Sequence, residues 1–286
     1  MNIKISIISI NYNNKEGLKK TVESIINQTY KNFEYIIIDG GSTDGSTDIL
    51  EEYHEKINYA VSEPDSGIYN AMNKGIQVSK GDYLLFLNSG DCFVDQFVME
   101  KVIPKLNDGL SIYYGNLIYS SNGIPTILNT PPDELSFYYF INYSLPHPAS
   151  FIKRELYFKY FTYNESLKII SDWEFFIYVI CKMNESYKHI DIVITDFDDA
   201  GISSMKENNS ILIREREREL VFKKHFPLFI NDITSLEEIK SEVFLQYKLI
   251  LSGKFRRKIL KRVIKILLFF KSDRIPDYRI YYKEIK

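Results

Sequence analysis

The chain has 286 residues, 26% of them charged and 45% hydrophobic, with a net charge of −2. That length carries one large domain or a domain with an extension, and the balanced charge gives no global basis for binding nucleic acid. Cys92 and Cys181 lie far apart, which excludes a disulfide framework and a cysteine-based zinc motif and fits a reducing cytosol.

The apolar stretch at residues 1–11 has no cleavage-site pattern and runs directly into a strand-like segment, so it is not read as a signal peptide. No run reaches the roughly 18 apolar residues that a membrane-spanning helix needs. Residues 3–10 are rich in isoleucine and read as a buried strand, followed by the polar turn Asn11-Tyr12-Asn13-Asn14. Leu18, Val22, Ile25 and Ile26 recur at helical spacing over 15–27, and a second apolar strand covers 33–38. It ends in Asp39-Gly40-Gly41-Ser42-Thr43-Asp44-Gly45-Ser46, where glycines permit tight turns and Ser or Asp can cap a helix through Tyr53. A short strand at 59–61, a loop at 63–67 and a helix over 68–78 lead into 81–93, GDYLLFLNSGDCF. Its apolar run, 83–87, predicts a strand buried on both faces, and Asn88, Ser89, Gly90 and Asp91 place oxygen ligands at its carboxyl end. This alternation predicts a Rossmann-like, doubly wound, mainly parallel α/β sheet, and in such sheets ligands bind at the carboxyl ends of strands.

Farther on, 96–106 reads as a helix, 111–119 as a strand and 123–133 as a loop containing three prolines. Residues 145–151 form a rigid approach to a short strand, and 169–176 place Asp172 and Glu174 around Trp173, the only tryptophan, at the start of an apolar helix. A last strand at 190–197 ends in Asp198-Asp199, and the domain boundary falls after residue 205. The extension, 206–286, reads as helical over 207–226 and 235–251, the first helix carrying the alternation Arg214-Glu215-Arg216-Glu217-Arg218-Glu219 as a solvated face. Residues 254–271 pack eight cations among bulky apolar residues. Two readings stand for that segment: a basic amphipathic helix making peripheral contact with an anionic membrane, or a terminal helix packed with its basic face outward.

Taken in order, the strand and turn at 5–13, DGGSTDGS at 39–46, EPDSGIYNAMNKGI at 63–76, GDYLLFLNSGD at 81–91 and SDWEF at 171–175 resemble the family 2 glycosyltransferases with a GT-A fold. The resemblance covers residues 1–205. It implies an inverting transfer of a sugar from a nucleotide-diphosphate donor, a UDP-sugar first of all, to a hydroxyl of a glycan or lipid-linked acceptor in bacterial surface polysaccharide synthesis. A divalent cation, Mn²⁺ or Mg²⁺, would assist, and the protein would work in the cytoplasm or on the inner face of the cytoplasmic membrane.

By the same resemblance, Asn11, Tyr12 and Asp39 contact base and ribose, Asp65 flanks the nucleoside and Lys74 approaches the diphosphate. Asn88 to Asp91 stand at the family's Asp-x-Asp motif, with Asp91 as metal ligand. Asp172 matches the general base on the acceptor side, with Glu174 next in line, and His147 and Trp173 are candidates for touching acceptor or diphosphate. Structural alternatives are a helix cap for Asp65, an exposed helical lysine for Lys74, a capped turn before the next helix for residues 88–91, a helix N-cap for Asp172, a structural histidine for His147 and a core position for Trp173.

Two departures matter. Many members carry two consecutive acids where this chain has Asp39-Gly40, so that contact must come from backbone or from Asp39. With Asn-Ser-Gly-Asp in place of Asp-x-Asp, a hard cation should bind mainly together with the donor diphosphate. The reduced motif also motivates a second function class, a catalytically weak sugar-nucleotide-binding subunit. A nucleotidyltransferase would need a glycine-rich loop with a nearby basic residue, which the N-terminal region lacks.

Overall fold

A continuous apolar strand can be buried only between two covering layers, and β-branched isoleucine favours the extended backbone it needs. In the computed structural model, which describes residues 3–121, 123–198, 208–233 and 282–284, the first such run is strand β1 (Ile5–Asn11), buried at every position. β2 (Phe33–Asp39) and β4 (Tyr83–Phe86) pair with it in parallel on its two sides, and β3 (Tyr59–Ser62) pairs in parallel with β2. Helices α1 (Lys15–Ile26), α2 (Ser46–Glu52) and α3 (Ile68–Val78) make the connections. Ile5, Ile7 and Ile37 face one cluster with Leu18, Val22 and Ile25 of α1. Gly81 must be glycine for packing: an added β-carbon would lie 2.5 Å from the Ser6 backbone nitrogen. The register puts Asn11 opposite Asp39 and Asp39 opposite Ser62. Polar residues that end successive strands therefore form a row along one sheet edge.

The other half of the sheet is mostly antiparallel. β8 (Ser150–Lys153) pairs with β4, and β6 (Ile112–Ser121) pairs with β8, with β7 (Ile124–Asn129) and, in parallel, with β9 (Tyr187–Asp198). β5 (Cys92–Phe93) pairs with β9, and β10 (Tyr282–Glu284) with β7. Three expectations need correction here. The proline-rich stretch 123–133 is not all loop: it holds β7, whose Pro125 sits opposite Ser120 beside a register shift, where a missing N–H is tolerated. The expected helix at 96–106 is cut to α4 (Val98–Val102), because Pro104 belongs to the first turn of a 3₁₀ segment, Ile103–Asp108. Two short helices, α5 (Phe137–Asn142) and α6 (Arg154–Lys159), were not foreseen; α5 starts where the Ser136 hydroxyl accepts from Tyr139 N at 3.1 Å.

Helices α7 (Ser171–Ile177) and α8 (Asn208–His225) follow. By contacts the chain divides into residues 1–219 with 280–286, and residues 220–279. In the second unit Val221, Phe222 and Phe226 are buried, with a 3₁₀ turn at Pro227–Phe229. The expected helix at 235–251, the basic segment 254–271 and the boundary at 205/206 lie outside the described residues. No helix among the described residues is long and apolar enough to cross a membrane.

Glu185 joins three segments of the main unit, accepting hydrogen bonds from Ser111 Oγ at 2.5 Å, Lys159 Nζ at 2.7 Å and Tyr160 Oη at 2.5 Å. Burial alone would raise its pKa, but these donors, led by Lys159, outweigh it and bring the group down to about 2. A folded pKa below the unfolded one gives stability that is full above the unfolded value and fades as pH falls toward the folded one. Glu185→Gln should therefore cost about 1–2 kcal/mol at neutral pH, after allowance for solvent screening. In urea titrations the difference from the parent should shrink between about pH 4.5 and pH 2; a difference independent of pH would show that the ionised network contributes nothing.

Candidate active site

The row of strand ends is the floor of a cavity of about 720 Å³, lined by Asn11, Tyr12, Gly40, Asp65, Asn88, Ser89, Asp91 and Asp198 among others. Asn11 is its keystone: Nδ2 donates to Asp39 Oδ1 at 2.6 Å and to Ser42 Oγ at 3.2 Å, and Oδ1 accepts from Ser89 Oγ at 2.7 Å. Three carboxyl-end loops are thereby tied by one side chain. Tyr12, 67% exposed, stands open at the rim and offers a ring for stacking. Gly40 lies directly under it and under Asp65, since a β-carbon there would come within 2.5 Å of Asp65 Oδ2 and 3.2 Å of Tyr12 Cδ2. A side chain at position 40 would have to displace the Asp65 carboxylate, which is the carboxylate nearest that place.

Two expected donor contacts are placed elsewhere. Asp39 is fully buried and lies behind the cavity wall, taking hydrogen bonds from Ser42 N at 2.9 Å, Ser42 Oγ at 2.6 Å and Ser62 Oγ at 2.5 Å as well as from Asn11. Burial pushes its pKa up, but the serine hydroxyls together with the other donors hold it below the usual carboxylate range, so it organises the loop as an anion. Lys74 pairs with Glu63 at 2.7 Å and donates to the Pro64 carbonyl at 3.2 Å, which fastens the 63–67 loop; it lines neither this cavity nor its neighbour. Asp65 lines the cavity, and its Oδ1 accepts from Gly67 N at 2.9 Å in a local turn; it is not the cap of α3, whose N-cap position is Gly67 with no side-chain cap hydrogen bond.

Asn88 and Asp91 stand where this cavity meets a second one of about 520 Å³; both residues line both. The turn between them closes through Asp91 N to Asn88 O at 2.9 Å and Asn88 N to Asp91 Oδ2 at 3.2 Å, with Gly90 at φ +109°. Asp91 is buried, and burial pushes its pKa up to about 8, although the backbone amides of Asn88 and Asp198 donate to it. Asp198, at the end of β9, packs against Gly90 and lines the first cavity. It was missed as a site residue, although the same rule that marked the other strand ends applied to it.

Asn88 Oδ1 is buried and has no hydrogen-bond partner among the described residues. An orphaned carbonyl oxygen beside carboxylates is a donor set that suits a hard cation. Among the described residues no group of three or more acidic, histidine or cysteine side chains could cage a metal. Asn88 and Asp91 thus fit a Mg²⁺ or Mn²⁺ that takes its remaining ligands from a bound diphosphate and water.

Asp172, near the start of α7, lines the second cavity. Tyr69 of α3 donates to Asp172 Oδ1 at 3.1 Å. Below them His147 Nε2 meets Tyr163 Oη at 2.7 Å, Tyr163 meets Tyr157 at 2.6 Å, and the His147 ring stacks on Phe86 with centroids 4.8 Å apart. Burial lowers the pKa of His147 despite nearby Asp172, so the ring lines the cavity as a neutral, structurally committed imidazole. Asn73 fixes this floor by a double exchange with the Tyr163 backbone, at 2.8 and 2.9 Å. Trp173 is 2% exposed and donates through Nε1 to Phe140 O at 2.8 Å, which is the core reading, with part of the ring at the cavity wall. Glu174 is fully buried and lines neither cavity, so Asp172 is the carboxylate presented on this side.

The arginine–glutamate alternation of α8 is not the uniform solvated face expected. Glu217 is buried and accepts from Lys168 N at 2.6 Å and Ile169 N at 3.1 Å. Arg218 donates to Ile141 O at 2.9 Å with its guanidinium 5.0 Å from the Trp173 ring centre. Lys168, Arg214 and Arg218 line the Asp172 cavity.

The site is thus a strand-end cavity on an α/β sheet, with an exposed tyrosine ring and buried oxygen atoms, adjoining a second cavity that presents a carboxylate. The sequence profile of glycosyl transferase family 2 matches residues 6–170, and the chain belongs to that family. An uncharacterized glycosyltransferase of Mycobacterium tuberculosis is 32% identical over 212 residues, covering 72% of this chain and 79% of the relative. The fold is GT-A-like: it is similar to residues 1–349 of S. aureus TarS bound to UDP-GlcNAc, at TM-score 0.59, 18% identity and 74% coverage of this chain. The match spans 64% of that fragment and 37% of a longer TarS chain. The mannosyltransferase PcManGT of Pyrobaculum calidifontis, in complex with GDP-Man and Mn²⁺, is similar at TM-score 0.59 and 14% identity, covering 97% of this chain and 82% of the other.

Proposed function

We propose that the protein transfers a sugar, with inversion, from a nucleotide-diphosphate donor of the UDP-sugar class to a hydroxyl of a glycan or lipid-linked acceptor in bacterial surface polysaccharide synthesis. The observation that carries this is that Asn88 and Asp91 line both cavities while Asp172 lines the second with them. Tyr12, Asn11 and Asp65 would hold the nucleoside in the first cavity, and the anomeric carbon would lie beside Asn88 and Asp91.

Asp172 takes the proton of the acceptor hydroxyl as its oxygen attacks the anomeric carbon. The bond from that carbon to the diphosphate oxygen breaks on the opposite side, and the nucleoside diphosphate leaves with the bonding pair. Asn88 and Asp91 would hold a divalent cation, which when bound would offset charge developing on the diphosphate. That need is acute, because no lysine or arginine is among the described residues lining the donor cavity.

Thermal unfolding against UDP-, GDP- and dTDP-sugars with Mn²⁺ tests the reading. A donor at a hundred times its Kd should raise Tm by about 5–10 °C. If no nucleotide sugar shifts Tm, the donor assignment is wrong; NMR of the product anomer then checks inversion.

A further inference from the structure

Within the 63–76 stretch Asp65 lines the donor cavity and Lys74 fastens the loop, but the residue that reaches the proposed base is Tyr69. Its hydroxyl donates to Asp172 Oδ1 at 3.1 Å, and no other hydrogen bond to that carboxylate is made among the described residues. One oxygen is thereby fixed, and Oδ2 is left to meet a substrate proton. A carboxylate on a short side chain that nothing holds turns among several rotamers, so a base that must meet a hydroxyl in one orientation needs such a stop.

The stop is itself held firmly. Tyr69 is 5% exposed, and its ring lies 5.7 Å from that of Tyr163, whose backbone Asn73 grips by its double exchange. Asn70 and Asn73 lie one turn apart on α3, and both donate to Glu165, at 3.0 and 2.8 Å. One face of α3 is thus tied to residues 163–172, while its first residue, Ile68, lines both cavities. Burial, and after it the charge of Asp172, push the Tyr69 pKa well above the usual phenol value. The group stays a neutral donor and does not take the acceptor proton itself.

We propose that Tyr69 is a positioning residue for the transfer: its hydroxyl holds Asp172 Oδ1 so that Oδ2 receives the acceptor proton, and α3 thereby sets the base against the donor site. This rests on the transferase reading above and adds the element that keeps base and donor in one geometry.

The full chain is given UDP-glucose, UDP-GlcNAc, GDP-Man and dTDP-glucose with Mn²⁺, and release of nucleoside diphosphate to water is followed, which requires no knowledge of the natural acceptor. Tyr69→Phe keeps the ring beside Tyr163 and removes only the hydroxyl. It should lower kcat by about 10- to 100-fold, the cost of misplacing a reacting group by about 1 Å, with donor KM and the UDP-induced rise in Tm unchanged. In the Asp172→Asn background the same change should alter kcat by no more than about twofold, because Tyr69 acts through the carboxylate. Tyr53 also donates to a carboxylate, Glu23 at 3.0 Å, and lines neither cavity; Tyr53→Phe should leave kcat unchanged.

Full turnover in Tyr69→Phe, or an equal further loss in the Asp172→Asn background, overturns the positioning role and leaves the transferase reading standing. A lower Tm with a raised donor KM in Tyr69→Phe makes the residue a plain core tyrosine and overturns the role as well. So does a loss in Tyr69→Phe with none in Asp172→Asn, since there is then no base for it to act through. A parent chain that turns over none of the four donors overturns both readings together.

Discussion

Asp172→Asn should lower turnover by about 10²- to 10⁴-fold, the usual contribution of a positioned general base. The substitution keeps the shape of the side chain and an oxygen able to accept from Tyr69, which now reaches Asp172 Oδ1 at 3.1 Å. What it removes is the capacity to take a proton. The loss should therefore fall on kcat, with donor KM and the UDP-induced rise in Tm unchanged, because Asp172 lines the second cavity and is not among the residues lining the first. Glu174 cannot substitute from its position, fully buried one turn into the same helix. Full turnover in the asparagine variant would show that another group takes the proton. A parallel loss of donor binding would show instead that Asp172 serves structure.

The parallel half of this fold was plain in the sequence for a physical reason. β1, β2 and β4 are buried on both faces and so must be continuous apolar runs, and the helices between them show the helical period. The antiparallel half lacks such a signature. β7 carries a proline that only its place beside a register shift makes acceptable, β5 has two residues, and the aromatic run of α5 has no helical period to betray it. The site divides along similar lines. The strand-end rule pointed to Asn88 and Asp91 and the family resemblance to Asn11, Tyr12 and Asp65, and the structure brings all five to the lining of one cavity. Neither signal showed that Asp39 and Lys74 are already engaged by Ser42, Ser62 and Glu63, since those partners are chosen by loop closure. Arg214, Glu217 and Arg218 were hidden because alternating charge on a helix reads as a solvated face. Only the packing of α8 beside residues 168–169, Ile141 and Trp173 separates the inward positions from the outward ones.

Asp91→Asn should abolish the part of UDP binding that depends on a cation, and lower transfer by about 10²-fold or more, consistent with several kcal/mol of charge stabilisation at the diphosphate. Asp91 is a poor metal site by itself. It is buried, the other acids among the described residues lining the donor cavity are Asp65 and Asp198, and no group of three or more acidic, histidine or cysteine side chains among the described residues could hold a metal. A divalent cation needs about six oxygen ligands, so most must come from the diphosphate and water. Calorimetry should accordingly show Mn²⁺ alone binding the parent protein weakly, with a Kd of about 1 mM or above, and UDP binding at least about tenfold more tightly when Mn²⁺ is present. In Asp91→Asn that enhancement should vanish while metal-free UDP binding persists through Tyr12, Asn11 and Asp65. The variant should also fold, because asparagine matches the shape of aspartate and spares a buried carboxyl its desolvation. Micromolar Mn²⁺ affinity without nucleotide, or an undiminished Mn²⁺ effect in Asp91→Asn, would place the cation elsewhere and leave the orphaned Asn88 oxygen unexplained.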